Sequence, residues 1–189
     1  GTFAWTVSNV NDAPVVSAVE SPALAYTEND GAVAITSTLT LADVDDTNLE
    51  SAVVQITTNY VNGEDVLTFV DQNGITGTWV AGTGTLTLSG TSSVANYQAA
   101  LRSITYTNTS ENPSTTTRTI SFTVDDGSTS SNTQTRDITV TPVNDSPTFT
   151  GNGGVTGTED TPYIFTWADF NVTDIDSPID ANTAIRVES

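Results

Sequence analysis

The chain has 189 residues, 23 of them Asp or Glu against 4 basic residues, for a formal net charge of −19. The basic residues are Arg102, Arg118, Arg136 and Arg186, and there is no Lys, His or Cys. This inventory excludes thiol, imidazole and Schiff-base chemistry, zinc–thiolate sites and disulfides, and it lacks the basic surface that draws proteins to nucleic acid or anionic membranes.

In chain order, residues 3–10 (FAWTVSNV) alternate apolar and polar side chains as a strand does, and run into the linker Val10-Asn11-Asp12-Ala13-Pro14. The same period-2 pattern, rich in β-branched residues, predicts strands at 32–41, 51–58, 85–89, 103–108, 117–124 and 135–143. Turn chemistry separates them at Asn29-Asp30-Gly31, Asn62-Gly63, Asn73-Gly74, Gly82-Thr83-Gly84 and Asp126-Gly127. Glu64-Asp65 reads as decoration of the turn after Asn62-Gly63. Only 93–103 is helical, with Val94, Tyr97 and Leu101 at helical spacing behind Ser92 or Ser93 as N-cap. Many short strands, regular turns and one short helix predict an all-β sandwich. No stretch approaches the ~20 apolar residues that span a bilayer, so no membrane insertion is expected, and any export signal is expected outside this segment.

Landmarks recur. Val10-Asn11-Asp12-Ala13-Pro14 returns as Val143-Asn144-Asp145-Ser146-Pro147, Glu28 as Glu159, and Asp43-Val44-Asp45 as Asp174-Ile175-Asp176, in one order and at nearly one spacing. This predicts a tandem array: 1–11 as the last strand of one repeat, 12–145 as a complete repeat, and 146–189 as the first part of the next.

Strands of a sandwich run end to end, so successive loops alternate between its poles. Counting from the first linker places Asn11, Asp12, Asp43, Asp45, Asp125 and Asp126 at the top pole. Glu28 falls at the bottom beside Asn144 and Asp145, and the next repeat brings Asp174 and Asp176 to them. A lone D-x-D is more often an Asx turn than a ligand set; at Asp125-Asp126 the plain reading is a hairpin turn ending in Gly127, and one of the two is favoured as a ligand. Recurrence beside a linker favours the metal reading. Carboxylates gathered this closely repel unless a cation sits among them, and Ca²⁺ accepts 6–8 hard oxygen ligands in flexible geometry where Mg²⁺ demands a tight octahedron.

These residues carry a family resemblance. The V-N-D-x-P linker, the early Glu28, the D-x-D and the Asp before the last hairpin resemble the Ca²⁺ motifs of cadherins. Residues 10–145 resemble, more specifically, the cadherin-like repeats of large bacterial surface adhesins. The resemblance implies a Greek-key, cadherin- or immunoglobulin-like sandwich, an extracellular surface location, and neighbouring repeats of the chain joined through shared Ca²⁺ to extend a distal domain for cell adhesion. The acidic L-D-R-E motif of animal cadherins is absent, and the helix 93–103 stands in its region. Glu111, in a loop placed at the bottom pole, is a candidate for the missing carboxylate.

Other readings are weighed beside this one. Trp5, Trp79, Trp167, Tyr97 and Tyr106 suggest a carbohydrate platform, but their place in alternating strands favours core packing. A glycan- or protein-binding module and a self-associating surface filament are the alternatives to the extender. The sequons at Asn108 and Asn171 are frequent in any Thr-rich chain. Catalysis by paired carboxylates needs two differently tuned acids facing a cleft, and acids repeated identically at linkers do not suit it, so no enzyme is expected.

Overall fold

The computed structural model describes residues 10–149, 156–164 and 169–176. Residues 3–9 of the strand expected at 3–10, with Trp5, Trp167 and most of 146–189, lie outside the described residues.

The described strands are β1 (Val15–Ser17), β2 (Leu24–Thr27), β3 (Val33–Ala34), β4 (Thr40–Ala42), β5 (Asn48–Thr58), β6 (Asp65–Thr68), β7 (Thr76–Val80), β8 (Thr85–Ser93), β9 (Thr105–Asn108), β10 (Arg118–Asp125), β11 (Gln134–Thr141), β12 (Thr148–Phe149) and β13 (Val172–Thr173), with helix α1 (Val94–Arg102) between β8 and β9. A six-stranded sheet in the order β2-β11-β10-β5-β8-β7 forms one layer of a β-sandwich. The sheets β3-β9-β6 and β1-β4 form the other. All pairs are antiparallel except β11 and β2, which run parallel.

Alternation produces the layers. Along β10 every second side chain (Arg118, Ile120, Phe122, Val124) is buried, because successive side chains of a strand point to opposite faces. Leu86 and Leu88 of β8, Val54 and Ile56 of β5, and Ile138 and Val140 of β11 join them in one core with Leu67 and Tyr106 from the facing layer. Tyr26 of β2 meets Tyr106 of β9 edge-on across that core, with ring centroids 5.1 Å apart, and its hydroxyl donates to the Asn108 carbonyl at 3.1 Å.

The helix starts where its capping chemistry dictates. Ser93 has extended backbone, and its hydroxyl accepts the Asn96 N–H at 3.2 Å, which satisfies one of the amides a helix leaves unpaired at its start. Tyr97, Ala100 and Leu101 turn into the core, while Arg102 reaches across to donate to the Leu39 carbonyl at 2.7 Å.

Several expectations need correction. The run 32–41 is not one strand: it breaks into β3 and β4, which belong to different sheets. Between them Thr36, Ser37 and Thr38 turn to bind the Glu20 carboxylate, so local hydrogen bonds outcompete strand propensity. Strands β6 and β7 were not expected, since neither carries a long β-branched alternation. Asp65 does not decorate a turn; it is 1 % exposed and ion-paired to Arg118.

Candidate metal centres

At the top pole the linker folds back over the loop after β4. Asn11 Nδ2 donates to Asp126 Oδ2 at 2.9 Å, and the Asp12 N–H donates to both Asp45 oxygens at 3.2 and 3.3 Å. Within the loop, Asp43 Oδ1 accepts the N–H groups of Asp45 and Asp46 at 3.1 and 2.8 Å, an Asx turn that leaves its second oxygen facing the pole. Asp43, Asp46 and Asp126 each bring a carboxylate oxygen within 4.8 Å of the others. Asp43 Oδ2 is buried and makes no hydrogen bond.

The hairpin acids divide as the Asx chemistry requires. Both Asp125 oxygens serve the hairpin, accepting from the Gly127 N–H at 2.8 Å and the Ser130 hydroxyl at 2.7 Å. Asp126 closes the same turn through Oδ1, which accepts the Ser128 and Thr129 N–H groups, each at 2.7 Å, yet it also joins the cluster. Asp46 was not singled out in the sequence; its only signal was adjacency to Asp45.

The bottom pole assembles from four segments. Glu28, at the end of β2, is 4 % exposed because β2 lies alongside β11 at the sheet edge. Its Oε2 accepts the Val143 N–H at 2.7 Å, while Oε1 makes no hydrogen bond. Glu28, Glu111 and Asp145 bring carboxylate oxygens within 4.8 Å of one another, so Glu111 joins the pole where the sequence placed it. The Asp145 N–H donates to Asp176 Oδ2, and the Asp176 N–H donates to Asp174 Oδ1 at 3.1 Å. Asp145 Oδ2 and Asp176 Oδ1 are also buried without hydrogen bonds. Asn144 turns its amide to the Asp145 carbonyl at 2.8 Å, as Asn11 does to that of Asp12 at 3.1 Å. A cleft of about 490 Å³ lined by Glu111, Asp145, Thr148, Thr173, Asp174 and Ile175 opens here.

Among the described residues, no arginine compensates the charge at either pole. Arg118 is committed to Asp65, Arg136 to Glu20, and Arg102 to the Leu39 and Thr38 carbonyls. Desolvation, then the neighbouring Asp176, Glu111, Glu28 and Asp174, raises the Asp145 carboxyl above its ordinary value. Desolvation, then Asp45, Asp43 and Asp126, does the same to Asp46. Hard oxygens with unused lone pairs, held together against their mutual repulsion, suit a divalent cation of the Ca²⁺ type.

The described aromatic candidates, Trp79, Tyr97 and Tyr106, serve the core. Tyr97 and Tyr106 are fully buried, and Trp79 packs against it, edge-on to Tyr60 at 6.2 Å. Asn108 is 5 % exposed and donates to Asp65 Oδ1 at 2.8 Å, so its sequon is occupied by structure.

Fold and site together describe a β-sandwich with an acidic cluster at each pole. No family model matches the chain, and no solved structure matches it. Over 111 residues, 56 % of the chain, it is 35 % identical to halomucin of Haloquadratum walsbyi (strain DSM 16790 / HBSQ001). That stretch spans 1 % of halomucin's length, so the similarity concerns a small segment of a very long protein.

Proposed function

We propose that this chain is a Ca²⁺-stabilised structural segment of a long extracellular protein, built of tandem cadherin-like repeats whose junctions are stiffened by cations, and that it is not an enzyme. The carrying observation is Glu28: a 4 % exposed carboxylate with one oxygen bound to the linker N–H of Val143 and the other making no hydrogen bond. Leaving a buried acceptor unpaired costs about 1–3 kcal/mol, and more for a charged group. A cation shared by Glu28, Glu111, Asp145 and Asp176 offsets that cost and joins the sandwich to the segment carrying β13. Asp43, Asp46 and Asp126, with Asp45 beside them, supply the corresponding set at the top pole.

The mechanism is mechanical. Without the cation, like charges push the linker and loops apart; with it, ligands from both sides of the linker share one ion and the hinge angle is set. A site held at 100-fold above its Kd adds about 2.7 kcal/mol of stability, a large share of a typical domain stability of about 5–15 kcal/mol. The partial similarity to halomucin, of which the matched stretch is 1 %, accords with a repeated element in a very long chain. Such an array would hold a distal adhesive domain away from a cell surface.

The test is calorimetric titration of the chelator-treated chain with CaCl₂, paired with small-angle scattering in EDTA and in millimolar Ca²⁺. NaCl and MgCl₂ at matched ionic strength control for screening. The expected result is saturable heat, a higher Tm and a longer, stiffer particle with Ca²⁺ only. Asp43→Asn should remove the top-pole heat, and Asp145→Asn the bottom-pole heat. Equal responses to all three salts would show that the clusters are turn acids answering only to screening, and the extender reading would fall.

A further inference from the structure

Beyond its carboxylate, the loop 109–117 between β9 and β10 makes a direct contact across the second linker. Asn112 Nδ2 donates to the Ile175 carbonyl at 2.9 Å. Ile175 is the central residue of Asp174-Ile175-Asp176, so the donor reaches the backbone of the loop whose acids meet Asp145.

The loop is built to hold that donor still. Its start is tied by the Thr109 N–H to the Glu64 carbonyl at 2.9 Å and by the Ser110 N–H to Asn108 Oδ1 at 3.0 Å. The Asn112 N–H donates to the Ser110 hydroxyl at 3.2 Å. From inside the sandwich, buried Arg118 donates through Nη1 to the Ser114 and Thr116 carbonyls, and it is anchored in turn to Asp65. An ordered donor loses little conformational entropy when it docks.

The acceptor geometry is present twice. Asp176 accepts the Asp145 N–H and receives its own turn from Asp174; Asp45 accepts the Asp12 N–H and receives its own turn from Asp43 at 3.1 Å. Val44 holds the place of Ile175 and is 86 % exposed. We propose that Asn112 is a cation-independent latch between successive repeats, and that the backbone at Val44 is the docking place for the same loop of a preceding copy. The partner is therefore a second copy of this repeat, recognised by a carboxamide donor meeting a D-x-D carbonyl. This inference rests on the tandem-repeat reading and not on the cation.

The experiment uses the chain as it stands. Because it contains no Cys, spin labels placed by Ala81→Cys and Thr161→Cys, both exposed, report one distance across the linker. Measurement in EDTA at about 1 M salt, where the Debye length is about 3 Å, suppresses carboxylate repulsion and leaves the latch to act alone. Asn112→Ala should at least double the width of the distance distribution there, with unchanged Tm for the main unfolding transition. Glu111→Gln should leave that width unchanged. An Asn112→Ala width equal to that of the parent overturns the latch. Adding Ca²⁺ separates the two readings: a parent that ignores Ca²⁺ while Asn112→Ala still broadens in EDTA refutes the cation and keeps the latch.

Discussion

Arg118 Nε lies 3.3 Å from Asp65 Oδ2, with both side chains wholly out of water. The rest of the Asp65 carboxylate is filled by Tyr106 Oη at 2.6 Å, Asn108 Nδ2 at 2.8 Å and the Val61 N–H at 2.8 Å. The pair thus pins the start of β6, the end of β9 and the loop 109–117 to one point. Burial, then the bond to Asp65, pushes the Tyr106 hydroxyl well above its ordinary pKa, so it remains a donor.

Removing one partner strands the other. Asp65→Asn should cost about 3–5 kcal/mol, because it leaves the Arg118 charge buried without compensation. The double change Asp65→Asn with Arg118→Met should recover part of that loss. Urea unfolding of the four members of the cycle gives the coupling energy directly. A double variant less stable than Asp65→Asn by the full cost of Arg118→Met would show that the two residues act independently.

A second acid, Glu20, predicts a pH dependence unrelated to the poles. Its carboxylate accepts the Thr36 hydroxyl at 2.7 Å, the Ser37 N–H at 2.8 Å and hydroxyl at 3.0 Å, and the Thr38 N–H at 3.2 Å. Burial alone would raise its pKa, but these donors outweigh that and hold the carboxyl well below the ordinary 4.5. A depressed folded-state pKa means stability that is fully present above the unfolded value and lost as pH falls toward the folded one. Glu20→Gln should therefore cost about 2 kcal/mol at neutral pH. The difference in Tm between the two proteins should shrink steadily below a pH of about 4.5. A gap that stays constant with pH would show that the charge of Glu20 contributes nothing.

Backbone packing supplies a third prediction. Asn73 and Gly74 form a tight turn with φ of 54° and 77°, and β8 passes directly beneath it at Gly90. A Cβ on Gly90 would stand 2.2 Å from the Gly74 carbonyl oxygen, and its φ of 129° is strained for any L side chain. Gly90→Ala should cost about 2–4 kcal/mol through strain and overpacking. Gly82→Ala, with nothing within 4 Å of the added carbon, should stay within about 0.5 kcal/mol of the parent. Denaturation midpoints compare the two, and equal midpoints would mean that the turn moves aside at little cost.

Much of the candidate site was legible because it depends on strand direction alone. Counting strands placed Asn11, Asp12, Asp43, Asp45 and Asp126 together, and the structure brings them together through contacts such as Asn11 to Asp126. Glu28 and Glu111 were placed at the other pole by the same count and meet Asp145 there. Asp46 was not chosen as a ligand because nothing in the linear pattern shows its carboxylate meeting those of Asp43 and Asp126. Asp65 was misread because Glu64-Asp65 looks like a polar turn until Arg118, far along the chain, arrives beside it.

The amino-acid sequence by itself determined the alternation that makes a sandwich, the capped helix at Ser93, the recurrence of the linker and D-x-D landmarks, and an excess of acid that the chain's few arginines cannot neutralise. Those features are local or additive, and a linear pattern records them. Tertiary structure alone decided which carboxylate oxygens are left without donors, that Asn112 reaches the Ile175 carbonyl, and that the three described arginines are spent on Asp65, Glu20 and the Leu39 and Thr38 carbonyls. These depend on side chains distant in sequence meeting at hydrogen-bond distance, where a shift of an ångström separates a filled acceptor from an empty one.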